Sequence, residues 1–224
     1  MNTVFGILLG LLIVAAIAGV AWLYFYIRKL KRQKLAAIAQ ELSLAYYPGR
    51  NDNLHETYSF FELFQRGRNR RSYDLISGSR DGIKVMLFDF YYEDYSDNDN
   101  AIRWRTSCIL ELPPGRQLPY VIIRPEGAID RIASAIGFND IDFESVEFSR
   151  KFFVKSQDRR FAYDLIHPKM MEYLLTTGSI WIEVAKSALL VHQDCRLYPR
   201  QWTGLYQKAV GFYTQIPDRL LSTS

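Results

Sequence analysis

The chain has 224 residues and a net charge of +4, and its length suits one domain with an appendage. Apolar residues make up 49% and charged residues 23%, so the composition is that of a globular protein and excludes a disordered chain. Two cysteines exclude a disulfide-stapled scaffold, and three histidines leave little material for a histidine-rich metal site.

An apolar segment without charged side chains, residues 4–27, predicts a transmembrane helix. A helix of this length spans about 36 Å, which exceeds the roughly 30 Å hydrocarbon core of a bilayer. Aromatic residues close the segment and a basic run follows, as expected at a membrane surface. The predicted interfacial residues are Trp22, Tyr24, Tyr26, Arg28, Lys29, Lys31, Arg32 and Lys34. Since positive charge stays on the cytoplasmic side, we expect the N-terminus outside and the body of the chain in the cytoplasm.

A cleaved signal peptide is the alternative interpretation of this segment. Ala16-Ile17-Ala18 resembles a small-x-small cleavage site. A signal peptide carries its positive charge before the apolar core, however, whereas here the charge comes after it. The pattern therefore favours an uncleaved anchor.

Gly6 and Gly10 form a G-x-x-x-G pattern within the apolar helix. Small residues at this spacing allow two membrane helices to approach closely. Because glycine is common in membrane helices, simple exposure to lipid is the other interpretation. Self-association or contact with a partner helix through Gly6 and Gly10 is thus a hypothesis.

The positive charge of the chain is concentrated beside the membrane. Residues 28–34 contribute five basic residues, and the rest of the chain holds 23 basic and 24 acidic ones. A nucleic-acid-binding domain usually keeps a basic excess on its folded part. We therefore expect no nucleic-acid partner, and contact with anionic lipid explains the basic run.

A basic stalk helix over residues 28–49 is expected to follow the membrane segment. Leu35, Ile38, Ala39 and Leu42 recur at helical spacing, and Pro48-Gly49 ends the pattern. A polar loop over residues 50–57 then leads to a cytoplasmic domain over residues 58–219.

Alternating apolar residues predict several strands in this domain. Residues 72–77 and 83–92 form a hairpin across Asp81-Gly82, and an acidic loop over 93–100 precedes a strand over 102–112. Short strands are predicted over 120–124 and 152–155, with a short helix marked by Ile129 to Ile136 between them.

The remaining elements are mainly helical. Ser156 is the predicted cap of a helix through Ile166, and a second helix begins at Pro168 and ends at Gly178. A hairpin over 180–185 and 189–192 and a last helix over 199–216 complete the chain. The sequence thus predicts an α+β domain with a largely antiparallel sheet and flanking helices.

The common nucleotide-binding and hydrolase motifs are missing from the sequence, and we predict no catalytic site, no metal site and no cofactor. The most suggestive polar group is four arginines after an aromatic patch. Because the arginine guanidinium forms bidentate hydrogen bonds with phosphate, these four arginines are candidates for contacting lipid headgroups or a partner. The alternative is a solvated strand start paired with the domain's own acids. These residues are Arg66, Arg68, Arg70 and Arg71.

A string of short patches over roughly residues 60–195 resembles a family of uncharacterised bacterial proteins. The resemblance implies an N-terminal membrane helix, one cytoplasmic domain and an inner-membrane location, and it implies no catalytic residue. The patches are Phe61-x-x-Phe64, Arg66-Gly67-Arg68-x-Arg70, Gly78-x-x-x-Gly82-x-x-Val85, Leu87-Phe88-Asp89-Phe90-x-Tyr92, Leu110 to Pro113, Arg124-Pro125-Glu126, Asp140 to Glu144 and Glu147 to Arg150. The chain departs from the usual pattern at 93–101, where acids and asparagines replace Gly, Ser and Lys.

Three functions are compatible with these features. The leading hypothesis is a single-pass, non-catalytic membrane protein that presents its cytoplasmic module to an unidentified protein partner. The second is a domain that senses anionic lipid headgroups through Arg66 to Arg71. The third is an enzyme of unrecognised type, with Asp142, Glu144 or His167 as its acid–base residue.

Overall fold

The computed structural model describes residues 2–51, 53–96, 99–112, 117–126, 141 and 143–221. Its first element is a single helix, α1 (Asn2–Glu41), which joins the apolar segment to the stalk without a break. This helix is long and apolar enough to cross a membrane, and its most apolar window is not buried against the domain. An N-terminal helix that could anchor the chain therefore leads directly into the domain.

The stalk helix ends earlier than residue 49, the end that the sequence predicts. The amide of Ser43 donates to the carbonyl of Gln40 at 3.0 Å, and that of Leu44 donates to Ala39 at 2.8 Å. Ser43 has a φ of +57°, so these bonds form a Schellman motif, which reverses the chain into a strand. Serine instead of glycine at the left-handed position hides this stop signal in the sequence.

One eight-stranded sheet forms the centre of the domain. Its order is β1-β2-β3-β4-β8-β7-β5-β6, and the described pairs are antiparallel. The strands are β1 (Ala45–Asn51), β2 (Arg68–Arg80), β3 (Ile83–Ser96), β4 (Asp99–Glu111), β5 (Leu118–Pro125), β6 (Phe152–Ser156), β7 (Trp181–Lys186) and β8 (Ala188–His192).

Helices cover the two faces of the sheet unequally. On the first face, the stalk end of α1 and the C-terminal helices pack on a large apolar core. On the second face, the aromatic segment around Phe61 and Phe64 covers a smaller core. The helices after α1 are α2 (Leu54–Thr57), α3 (Val146–Lys151), α4 (Arg159–Leu165), α5 (Pro168–Thr177), α6 (Trp202–Gln215) and α7 (Asp218–Leu221), with 3₁₀ helices at Glu62–Gln65 and Pro199–Gln201.

The predicted fold class is confirmed, as an α+β domain with an antiparallel sheet after a long apolar helix. The acidic segment 93–100 was expected to be a loop, but much of it extends β3 and β4 into a longer hairpin. Asp158 caps α4 by accepting the amide of Phe161 at 2.9 Å, in the place predicted for Ser156. The helix predicted around Ile129 to Ile136 lies outside the described residues.

Candidate functional site

A lysine on the stalk joins α1 to the sheet. Lys31 lies about one helical turn, or 6 Å, beyond the apolar segment. Its ammonium donates to Asp74 Oδ2 at 2.7 Å and to Asp89 Oδ2 at 2.9 Å. Lys31 therefore links the end of the apolar helix to two neighbouring strands, β2 and β3.

Asp74 sits where the register of β2 shifts between Tyr73 and Ile76, with a φ of +56°. Its other carboxylate oxygen accepts the Tyr46 hydroxyl at 3.1 Å and the Gly49 amide at 3.4 Å. Burial raises the pKa of this carboxyl, but the Lys31 ammonium and these two donors outweigh it and hold the pKa below its ordinary value. The irregularity in β2 thus supplies an ionised partner for the stalk.

Asp89 has no exposed side-chain surface and is surrounded by donors. Besides Lys31, it accepts Arg196 Nε at 2.7 Å and the Thr106 hydroxyl at 2.7 Å. The guanidinium of Arg196 also stacks over Trp104, 4.1 Å from the ring centroid. Asp89 therefore connects α1, β4 and the segment around Arg196 to β3. Loss of any one partner would leave a buried carboxylate with an incomplete set of donors, which destabilises the fold.

A groove lies on the second face of the sheet, away from the stalk. It has a volume of about 740 Å³, and it runs between the aromatic segment that precedes β2 and the strands β5 and β6. Apolar side chains that include Phe60, Ile122 and Phe153 line it, together with the basic residues Arg66, Arg124, Lys155 and Lys186. Its size is that of sites for small molecules.

A buried glutamate fixes one wall of the groove. Glu183 on β7 accepts the backbone amides of Glu62 at 2.5 Å and Leu63 at 3.1 Å, and the Tyr120 hydroxyl at 3.0 Å. Burial, together with the nearby Glu62 carboxylate, raises the pKa of Glu183 to about 7. Glu183 thus holds the 3₁₀ helix Glu62–Gln65 against the sheet.

Three cation–π contacts order two arginines of the groove. Arg66 pairs with Glu62 at 2.6 Å, and its guanidinium lies 4.9 Å from the ring centroid of Trp181. Arg124, which is buried, lies 4.1 Å from the ring centroid of Phe153 and 5.7 Å from that of Trp181. These contacts hold two guanidinium groups at the groove.

The four arginines singled out in the sequence do not form one cluster. Arg66 lines the groove, whereas Arg70 folds back on the backbone carbonyls of Gln65, Arg66 and Gly67 at 3.0–3.2 Å. Arg68 is exposed at the start of β2, opposite Glu93. Arg71 is half-buried and pairs in register with Tyr91. Only Arg66 of the four lines the groove.

The predicted membrane-interface residues lie together along α1. Trp22, Tyr24, Tyr26, Arg28, Lys29, Arg32 and Lys34 are exposed, and only Lys31 is turned into the domain. The rings of Trp22 and Tyr26 stack at 5.3 Å. Gly6 and Gly10 are exposed, and a Cβ at either position would meet no atom within 4 Å. A contact between helices at these glycines therefore stays a prediction.

The structure describes two of the three residues proposed for acid–base chemistry. His167 Nε2 is hydrogen-bonded to the Gln215 carbonyl at 2.9 Å, Glu144 is exposed, and Asp142 lies outside the described residues. Within the described ranges, no group of three or more His, Cys, Asp or Glu residues could hold a metal ion.

Sequence reasoning missed Asp89, Glu183 and Arg124, although each carried a signal. Each is a charged residue inside an otherwise apolar strand, such as Leu-Phe-Asp-Phe around Asp89 or Trp-Ile-Glu-Val around Glu183. Buried charges are rarely tolerated without partners, so their position in a strand marks the places where separate elements meet.

Comparisons with known proteins give one informative likeness. No protein-family model matches this chain, and no curated protein matches it either. Among solved structures, the chain is similar to the mycobacterial trehalose monomycolate transport factor A, TtfA, with a TM-score of 0.61. The sequence identity is 13%, and the match covers 87% of this chain and 97% of the other. The comparison shows a fold shared with a bacterial protein, whereas the family suggested by the sequence patches is not confirmed.

Proposed function

We propose that this chain is a single-pass, non-catalytic protein whose α+β module meets a protein partner at the cytoplasmic face of a bacterial inner membrane. The observation that carries the proposal is the continuity of α1, which Lys31 fastens to the domain through Asp74 and Asp89. A flexible linker between α1 and the domain would let the domain adopt many orientations relative to the bilayer. A fastened one holds a defined surface beside the bilayer, and this raises the effective concentration for a membrane partner.

The likeness to TtfA supports the fold of the module. That protein is described as a transport factor, and at 13% identity the comparison supports the fold alone. We therefore infer a role beside another membrane protein from the anchor and its attachment to the domain, and the identity of the partner is left to experiment.

Anionic lipid is the second candidate ligand of the module. The observation that favours it is the placement of Arg66, which lines the groove together with three further cations. The exposed basic residues of α1 supply a separate, unspecific attraction to an anionic leaflet.

The test is affinity purification of the tagged full chain from its native membrane in mild detergent, with mass spectrometry at known stoichiometry. A membrane protein recovered near one-to-one supports the proposal, and recovery of the chain alone contradicts it. The double variant Gly6→Leu/Gly10→Leu tests whether α1 contributes to the contact. Gly19→Leu is its control, since Gly19 is equally exposed and lies about 200° around the helix from them.

A further inference from the structure

The groove combines an apolar floor with a basic rim. Ile122 and Phe153, from β5 and β6, lie at its base, and Phe60 forms part of the opposite wall. The lining runs from Leu118 to Arg124 along β5, which is about 20 Å of extended chain. The floor is therefore elongated, as an extended apolar chain requires.

The charges that line the groove are mostly positive. Arg66, Arg124, Lys155 and Lys186 contribute four cations, and Glu62 contributes one carboxylate, which Arg66 already binds. Lys186 lies with its ammonium 4.6 Å from the ring centroid of Phe60, so charge and apolar surface meet at one end of the groove. This arrangement is complementary to a molecule with a negative head and an apolar body.

The backbone of the floor argues against a peptide as the occupant. Val121, Ile122 and Ile123 on β5 pair with both β6 and β7, so their amides and carbonyls are already used in the sheet. A peptide lying along β5 would bury its own backbone groups against a strand that is already paired on both sides, at a cost of several kcal/mol per unpaired group. A hydrocarbon chain has no polar groups, so its burial in the groove carries no such cost.

From these observations we propose that the groove binds an anionic single-chain amphiphile, with its hydrocarbon chain over Ile122 and Phe153 and its head beside Lys155 and Lys186. The head is a carboxylate or a phosphate, since both pair with lysine and arginine. A membrane-anchored domain meets such molecules in the adjacent bilayer. This inference rests on the second candidate function, an anionic lipid ligand, and it does not depend on a protein partner.

The test is photo-crosslinking of the full chain in nanodiscs of zwitterionic lipid, with a diazirine-labelled palmitate as the probe. Peptides of α1 that contact the bilayer are labelled in any case and serve as the internal reference. We expect additional labelling of the peptides that contain Ile122 or Phe153. Labelling confined to α1 would overturn the proposal.

Charge variants test the role of the rim. The double variant Lys155→Glu/Lys186→Glu should reduce groove labelling about tenfold relative to α1. Lys169→Glu/Lys208→Glu makes the same change in net charge on residues that do not line the groove, and it should leave labelling unchanged. Equal labelling in both double variants would contradict an anionic head, and thermal unfolding verifies that each variant is folded.

Competition identifies the head group. Oleate and lysophosphatidylglycerol are the carboxylate and phosphate competitors, and suppression of groove labelling by either one supports the proposal. Suppression by neutral monoolein to the same degree would overturn it. Groove labelling in a chain that purifies without a protein partner would support this inference and contradict the proposed function, so the two failures are distinguishable.

Discussion

Replacement of Lys31 by methionine tests whether the stalk is fastened to the domain. The substitution keeps an unbranched apolar chain and removes the ammonium that Asp74 and Asp89 share. Removal of one partner from a buried ion pair costs about 3–5 kcal/mol. Because Asp89 retains Arg196 and Thr106, and Lys31 is about one fifth exposed, we expect a smaller loss of about 2 kcal/mol.

Thermal unfolding of the full chain in detergent measures this loss. For a protein of this size, about 2 kcal/mol corresponds to a decrease in Tm of roughly 4–8 °C. Lys34→Met is the matched control, because Lys34 is exposed on the same helix and should shift Tm by less than about 1 °C. Equal Tm values for the two variants would refute the reasoning, since Lys31 would then be no more than a surface lysine.

Three further predictions follow from the groove wall and the topology. The pKa of Glu183 is raised to about 7 in the folded protein, so protonated Glu183 stabilises the fold, and this contribution is complete below the pKa of the unfolded chain, about 4.5. The free energy of unfolding should therefore fall by about 3 kcal/mol as the pH rises from about 4.5 to 7. In urea unfolding, Glu183→Gln should make the free energy of unfolding less dependent on pH over this range. Gly67→Ala should lower stability by about 2 kcal/mol or more, because its Cβ would clash with the backbone carbonyl of Glu93. Gly82 also has a positive φ, but a Cβ there would meet open space, so Gly82→Ala should cost only about 1 kcal/mol in the same melting assay. Cys195 is exposed, so in a cytoplasmic domain it should react with a membrane-impermeant maleimide only after the cells are permeabilised. Labelling of Cys195 in intact cells would place the domain on the outer side of the membrane.

Much of the fold is local and was therefore predictable. The alternation of apolar and polar residues predicts the strands, and the Asp81-Gly82 pair predicts the turn between β2 and β3. Helix α5 is bounded by Pro168 and Gly178, as the sequence predicts. The strand order was not predictable, because β5 pairs with β7 and β6 through contacts between distant parts of the chain. The early end of α1 was missed because Ser43 adopts the left-handed conformation usually given to glycine.

The candidate site was harder to predict, because its residues meet only through the sheet. The sequence placed Arg66, Arg68, Arg70 and Arg71 side by side, and proximity in sequence suggested a shared ligand. Successive residues of a strand point to opposite faces, and a glycine turn separates the first arginine from the rest. The basic residues that line the groove with Arg66 come instead from β5, β6 and β7, more than fifty residues away.

The stalk and the groove lie on opposite faces of the sheet, and this separates their functions. Asp89 shares its face with the core under α1, whereas Ile122 and Phe153 face the groove. Release of the stalk therefore leaves the groove lining intact. We expect Lys31→Met to lower Tm but to retain the labelling of the groove by the palmitate probe. We expect Lys155→Glu/Lys186→Glu at the groove rim to reduce the labelling about tenfold but to retain Tm. If Lys31→Met also removed the groove labelling, the two faces would be coupled through the strands, and the module would have to be treated as a single switch instead of an anchor with an independent binding site.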